Sequence, residues 1–111
     1  SNIITSTEDE NEDTPPPAPS AYSLYQNAPN PFNPITRIMF DLPRASYVKL
    51  TIYNVRGERV AALIERRMTA GRKTAVWDGK DNRGRAAASG IYFYRLAAGE
   101  FMQARKMVLL R

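Results

Sequence analysis

The sequence predicts an all-β fold, an antiparallel β-sandwich of about seven strands. Three observations carry this expectation. From residue 35 onward, short runs that alternate apolar and polar residues, or are rich in β-branched and aromatic ones, recur every 8 to 12 residues. Turn signals built on Gly, Pro, Asn and Asp stand between them. No segment carries a convincing helical period of ordinary length.

The strands follow in order. ITRIMFDL (35–42) places Ile38, Phe40 and Leu42 on one face, and Pro43-Arg44 breaks it. SYVKLTIYNV (46–55) sets Val48, Leu50 and Ile52 inward against Lys49, Thr51 and Tyr53. Asn54 to Gly57 is a tight turn, with Gly57 supplying a positive φ. ERVAALIE (58–65) is a third strand; Ala-Ala-Leu makes helix the competing reading. Ala70-Gly71 turns the chain, and RKTAVWDG (72–79) is a strand that ends at Trp77. KDNRGRAAASG (80–90) is a loop, in which Gly79, Gly84 and Gly90 serve turns. IYFYRLAA (91–98) has the strongest strand composition, with Arg95 outward and Tyr92, Tyr94 and Leu96 inward. After the Gly99-Glu100 hairpin, FMQARKMVLL (101–110) closes the fold, phased with Met107 and Leu109 inward so that Lys106 faces water.

Before these strands lies LYQNAPNPFNP (24–34), with Pro29, Pro31 and Pro34 among Asn27, Asn30 and Asn33. Proline fixes φ and donates no hydrogen bond, so the segment is neither helix nor central strand. Asn30 and Asn33 each precede a proline and are pushed towards extended conformations. A stiff, extended strap results, with Leu24, Tyr25 and Phe32 available to pin it down. Blocking a sheet edge and being recognised by a partner are both open to it. The Asn30–Pro31 and Asn33–Pro34 bonds are left open as cis or trans.

Residues 1–21 read as a disordered linker, acidic and then Pro-rich. Linkers of this kind tether modules, so the expected arrangement is a C-terminal domain over residues 22–111 behind another domain. Charge divides along the same boundary. Glu8, Asp9, Glu10, Glu12 and Asp13 carry no accompanying base, whereas residues 22–111 hold 16 bases against six acids, a net +10. Such a domain could meet an anionic partner. The bases are spread over every strand and turn, which favours a solvated surface over a nucleic-acid site, and no nucleic acid is expected as partner.

Chemistry is narrowed by composition. The chain has no cysteine and no histidine, which removes thiolates, disulfides and the commonest general base. No apolar run approaches the roughly 18 residues of a membrane span. Six acids in a small filled sandwich leave little room for a carboxylate pair in a cleft, so no enzyme activity and no cofactor are expected. Asp78, Asp81 and Asn82 in WDGKDNRG are the metal candidates. Their spacing departs from a calcium loop, and Lys80, Arg83 and Arg85 oppose a cation, so local turn capping is preferred. Trp77, alone before Asp-Gly, suits a core edge better than a sugar platform.

Several segments together resemble one family, the type A C-terminal sorting domains of the type IX secretion system of Bacteroidetes and relatives. They are LYQNAPNPFNPITRIMFDLP, VKLTIYNVRGERVAALIE and AGRKTAVWDGKDNRGRAAASGIYFYRLAAGEFMQARKMVLLR, spanning roughly residues 22–111. The matching blocks are the tyrosine with P-N-P-F-N-P, Y-N-V-x-G, W-D-G to S-G-x-Y, and a closing K-M-V-L-L plus base. Gly57, Trp77, Asp78, Gly79, Gly84, Gly90 and Tyr92 are the structural positions of these blocks. The W-D-G block is similar also to the Ig-like domain of flagellar hook-capping proteins.

The resemblance implies an Ig-like, fibronectin III-like sandwich without catalytic residues. It would follow a secreted cargo domain and be recognised in the periplasm by the outer-membrane translocon. It would then be cleaved within residues 1–23, or retained to attach the protein to cell-surface components. Location at the outer surface or in the medium, and a monomeric domain, are the corresponding expectations. Recognition candidates are Pro29, Asn30, Pro31, Phe32, Asn33, Pro34, Lys106 and Arg111. The alternative is an accessory carbohydrate-binding or adhesion module of an extracellular enzyme.

Overall fold

The computed structural model describes residues 17–111. The acidic run and most of the expected linker therefore lie outside the described residues. The rest is a seven-stranded antiparallel sandwich: β1 (Ser23–Leu24), β2 (Thr36–Leu42), β3 (Ser46–Asn54), β4 (Arg59–Met68), β5 (Gly71–Trp77), β6 (Gly90–Ala98) and β7 (Phe101–Leu109). One sheet has the order β1-β2-β5, the other β4-β3-β6-β7. The all-β, Ig-like architecture expected from the sequence is the one observed.

The alternation read from the sequence sets which faces meet. Ile38, Phe40 and Leu42 from β2, Val48, Leu50 and Ile52 from β3, and Tyr94 and Leu96 from β6 are wholly buried, as are Met107 and Leu109 from β7. Period-2 side-chain alternation puts each set on one face, and apposing two such faces removes both from water. Within residues 58–65, where helix competed, Arg59 to Glu65 are strand. β4 pairs with β3 through shifts at Leu50/Thr51 and Ile52/Tyr53, which bulge β4 and twist its edge.

Three details depart from the expectation. β4 runs on to Met68, because Arg66, Arg67 and Met68 pair with Val48, Tyr47 and Ser46. β1 forms a short additional strand on β2, with Leu24 opposite Phe40. Thr51, expected to face water, is only 6 % exposed although it lies on the outer face. Its neighbours across the sheet are Arg95 and Ala62, and long side chains on that face cover it.

The two long seams of the sandwich are closed differently. Between β2 and β7 the strap fills the gap. Between β4 and β5 the closure comes from the ends. Thr69-Ala70 joins the strands directly at one end. At the other, the Asn82 N–H donates to the Val60 carbonyl at 3.2 Å, while the Asn82 Oδ1 accepts from the Ala62 N–H at 3.0 Å. Exposed Arg59, Glu65, Arg66 and Arg67 stand along the β4 edge, a pattern that discourages edge-to-edge pairing.

Candidate functional site

The strap and the last strand, 78 residues apart in sequence where Asn30 meets Val108, form one surface. Phe32 is 2 % exposed. Its ring packs 5.6 Å from Trp77, whose indole lies 5.3 Å from Tyr92 in an edge-on arrangement. Phe32 also bridges β7 in the parallel sense. Its N–H donates to the Val108 carbonyl at 3.0 Å, and its carbonyl accepts from the Leu110 N–H at 2.9 Å. The Asn30 Oδ1 accepts from the Val108 N–H at 3.0 Å, and the Gln26 amide donates to the Lys106 carbonyl at 2.8 Å. The strap thus occupies the free edge of β7. Its other side is stitched to β2. Ala28 exchanges both backbone hydrogen bonds with Arg37, and the Tyr25 N–H donates to the Met39 carbonyl at 3.0 Å. The Ala28–Pro29, Asn30–Pro31 and Asn33–Pro34 bonds are all cis.

A buried polar knot fixes the strap's path. The Tyr94 hydroxyl donates to the Tyr25 carbonyl at 2.7 Å and accepts from the Asn27 N–H at 2.8 Å. Burial holds the Tyr94 phenol above its usual pKa, against the opposing pull of the Asn27 N–H. Asn27 is 3 % exposed, and its amide donates to the Pro29 carbonyl and to Thr36 Oγ1. Thr36 Oγ1 in turn donates to the same carbonyl at 2.9 Å. Sequence reading had no signal for Asn27, since only the fold brings Tyr94 and Thr36 to it. A second anchor lies at Asp41, which accepts from the Tyr25 hydroxyl and from Nε and Nη2 along one edge of the Arg72 guanidinium. Hydrogen bonding from Arg72, with a smaller contribution from Tyr25, keeps the Asp41 carboxyl below its usual range despite burial.

The recognition candidates therefore divide. Pro29, Asn30, Pro31 and Asn33 are exposed along the strap, Pro34 is half-buried, and Phe32 is core. Lys106 is exposed on β7, next to the strap. Arg111, expected to be either a recognition charge or a solvated one, is engaged in the fold. Its Nε donates to the Ala87 carbonyl at 2.6 Å and its Nη2 to the Gly79 carbonyl at 2.7 Å. Those carbonyls belong to the two ends of the W-D-G to S-G loop, which the Ala87 N–H ties together by donating to the Gly79 carbonyl at 2.8 Å. Gly79 has φ +74°, and a Cβ there would lie 3.0 Å from both the Pro34 carbonyl oxygen and the Arg111 guanidinium. The glycine is what lets strap, loop and Arg111 meet.

The metal candidates serve local bonds. The Asp81 Oδ1 accepts from the N–H groups of Arg83 and Arg85, each at 2.9 Å, and Arg85 pairs with Oδ2 at 3.5 Å. Those backbone bonds, the Arg85 one foremost, depress the Asp81 pKa. The Asp78 carboxylate accepts from the Lys80 N–H, and Asn82 holds the β4 edge. The structure thus places the three oxygens on three separate tasks. Trp77 is buried and donates from Nε1 to the Lys80 carbonyl at 2.9 Å, closing the same loop from inside.

No curated protein matches the chain. Among solved structures, dimeric latent PorU from Porphyromonas gingivalis superposes with a TM-score of 0.65 at 17 % identity, over 81 % of this chain and 9 % of that one. PorZ, an essential bacterial surface component of the type-IX secretion system of the same organism, gives 0.53 at 15 % identity, over 83 % and 12 %. The chain thus corresponds to about a tenth of either neighbour, and at these identities the likeness is one of fold. The family model of the FlgD Ig-like domain matches residues 34–100, from the end of the strap to the β6–β7 hairpin. The chain belongs to the FlgD Ig-like domain family.

Proposed function

We propose that residues 22–111 are a non-catalytic sorting and attachment module of a secreted bacterial protein. A cargo domain on its N-terminal side would be taken through the type IX secretion system, or held at the cell surface. The observation that carries this reading is the union of the strap with the last strand. PNPFNP and KMVLLR, the first and last blocks of the resemblance, lie against each other on one side of the sandwich. Exposed Pro29, Asn30, Pro31, Asn33 and Lys106 offer a translocon a composite surface that exists only in the folded state. The fold likeness to modules within PorU and PorZ supports the same reading. A non-catalytic role agrees with the carboxylates: Asp41 and Asp81 are committed to structural bonds.

The test is localisation. Residues 1–111 are fused behind a signal peptide and a fluorescent reporter, in a host with type IX secretion and in its translocon mutant. Reporter at the surface or in the medium of the first, and trapped in the periplasm of the second, is the expected result. Periplasmic retention in both would overturn it.

A further inference from the structure

The outer face of the four-stranded sheet carries a second surface, which shares only Lys106 with the surface built on the strap. Its outward residues form rows across the strands that the registers define. Arg59, Tyr53, Phe93 and Lys106 make the first row, and Ala62, Thr51, Arg95 and Ala104 the second. Glu65, Lys49, Ala97 and Met102 make the third, with Tyr47 and Arg67 beyond.

The middle of this face is floored by small side chains, and both ends are raised by aromatic ones. Hollows of about 320 Å³ beside Tyr53 and Phe93, 170 Å³ over Thr51 and 280 Å³ beside Tyr47 follow one another along β3. From Tyr47 to Tyr53 the path is about 20 Å at the rise of a strand. Its charge is one-sided, with Arg59, Lys49, Arg95, Lys106 and Arg67 against Glu65. Glu65 is itself held by Arg59. Arg95 is poised rather than free. Its guanidinium lies 5.0 Å over the Tyr53 ring and donates to the Tyr53 hydroxyl at 2.6 Å. No acid competes for it among the described residues.

We infer that this face binds an acidic glycan strand, a polysaccharide of carboxylated sugars. One such sugar supplies together what the face holds apart. It has a C–H face for the Phe93 ring, and a carboxylate for Lys49 and for Arg95, which Tyr53 holds in place. A nucleic-acid strand fits less well, because base stacking asks for successive exposed rings along the path. Here the rings stand at its two ends, with Arg95 over one of them.

The test titrates the isotope-labelled 111-residue chain with an oligogalacturonate, following amide shifts. A neutral gluco-oligomer of equal length, polyphosphate and single-stranded DNA serve as comparisons. Expected are shifts confined to the outer rows of β3, β6 and β7, and tightest binding to the oligogalacturonate. Tyr53→Ala, which leaves the charge unchanged, should weaken it roughly tenfold, and Lys49→Gln by a similar factor. If Tyr53→Ala disturbs the fold, the shift map of the native chain with Lys49→Gln decides alone. Absence of binding, tighter binding of DNA, equal binding of polyphosphate unmoved by these variants, or shifts centred on the strap would overturn the inference.

Discussion

The hydroxyl of Tyr94 accepts the N–H of Asn27 across 67 residues, at 2.8 Å, inside the sandwich. One phenol on a central strand thereby fixes the course of a proline-rich segment that has few backbone donors of its own. Tyr94→Phe keeps the ring and removes the hydroxyl. The Asn27 N–H and the Tyr25 carbonyl then lose this partner in a buried setting. The expected cost is about 1–3 kcal/mol, read from the midpoint of urea unfolding at unchanged slope. A stability equal to that of the native chain would mean that the strap is held by its other bonds alone.

Acid should act through Asp41. Its carboxyl pKa is lowered in the fold, first by the hydrogen bonds from Arg72. A lowered folded pKa means that the unfolded chain binds the proton more readily. The stabilisation is therefore fully present above the unfolded carboxyl pKa of about 4 and is lost as pH falls through the folded value. Asp41→Asn should be less stable than the native chain at pH 7, and the gap should narrow below about pH 4. Thermal melts of the two proteins between neutral and acid pH test this; a gap constant with pH would remove Asp41 as the cause.

Much of this fold was legible because period-2 patterns report burial directly. Ile38, Phe40, Leu50, Tyr94 and Met107 all face the core on the phase that their neighbours dictate. What was hidden depends on long-range pairing. Asn27 sits in a polar, proline-rich stretch and reads as surface, yet is buried because Tyr94 and Thr36 arrive from elsewhere. Arg111 reads as a terminal charge, and only the closed loop gives it the carbonyls of Gly79 and Ala87. The strap's residue types announced stiffness but not its neighbours, so its parallel bridge to Leu109 was out of reach. Lys106 was placed outward from phase alone, and it is.

Two glycines of one loop separate backbone strain from crowding. Gly79 and Gly84 have φ of +74° and +79°. An alanine at Gly84 would meet nothing within 4 Å, so Gly84→Ala carries only the left-handed penalty of about 1–2 kcal/mol. At Gly79 the same penalty applies, and the new Cβ also presses on the Pro34 carbonyl and on Arg111. Gly79→Ala should therefore be the more destabilising, and should lower the melting temperature by several degrees more, at about 4–8 °C per kcal/mol for a domain of this size. Equal losses would show that the contact with Pro34 relaxes freely.

Lys106 and Arg111 separate recognition from folding within the surface proposed for sorting. Lys106 is exposed, and no side-chain bond holds it among the described residues, so Lys106→Gln should change stability by less than about 0.5 kcal/mol. Arg111→Gln removes the guanidinium bonds to the Gly79 and Ala87 carbonyls. At about 0.5–1.5 kcal/mol for each hydrogen bond, it should cost roughly 1–3 kcal/mol and loosen the loop around Trp77. Surface delivery of the reporter fusion can then be compared with melting temperature across the two variants. If the folded surface is read by the translocon, Lys106→Gln should reduce delivery with the melt unchanged, while Arg111→Gln should reduce it in step with the melt. Full delivery of the Lys106 variant would take that lysine out of the recognised surface and leave the exposed strap residue Asn33 to be tested in the same way.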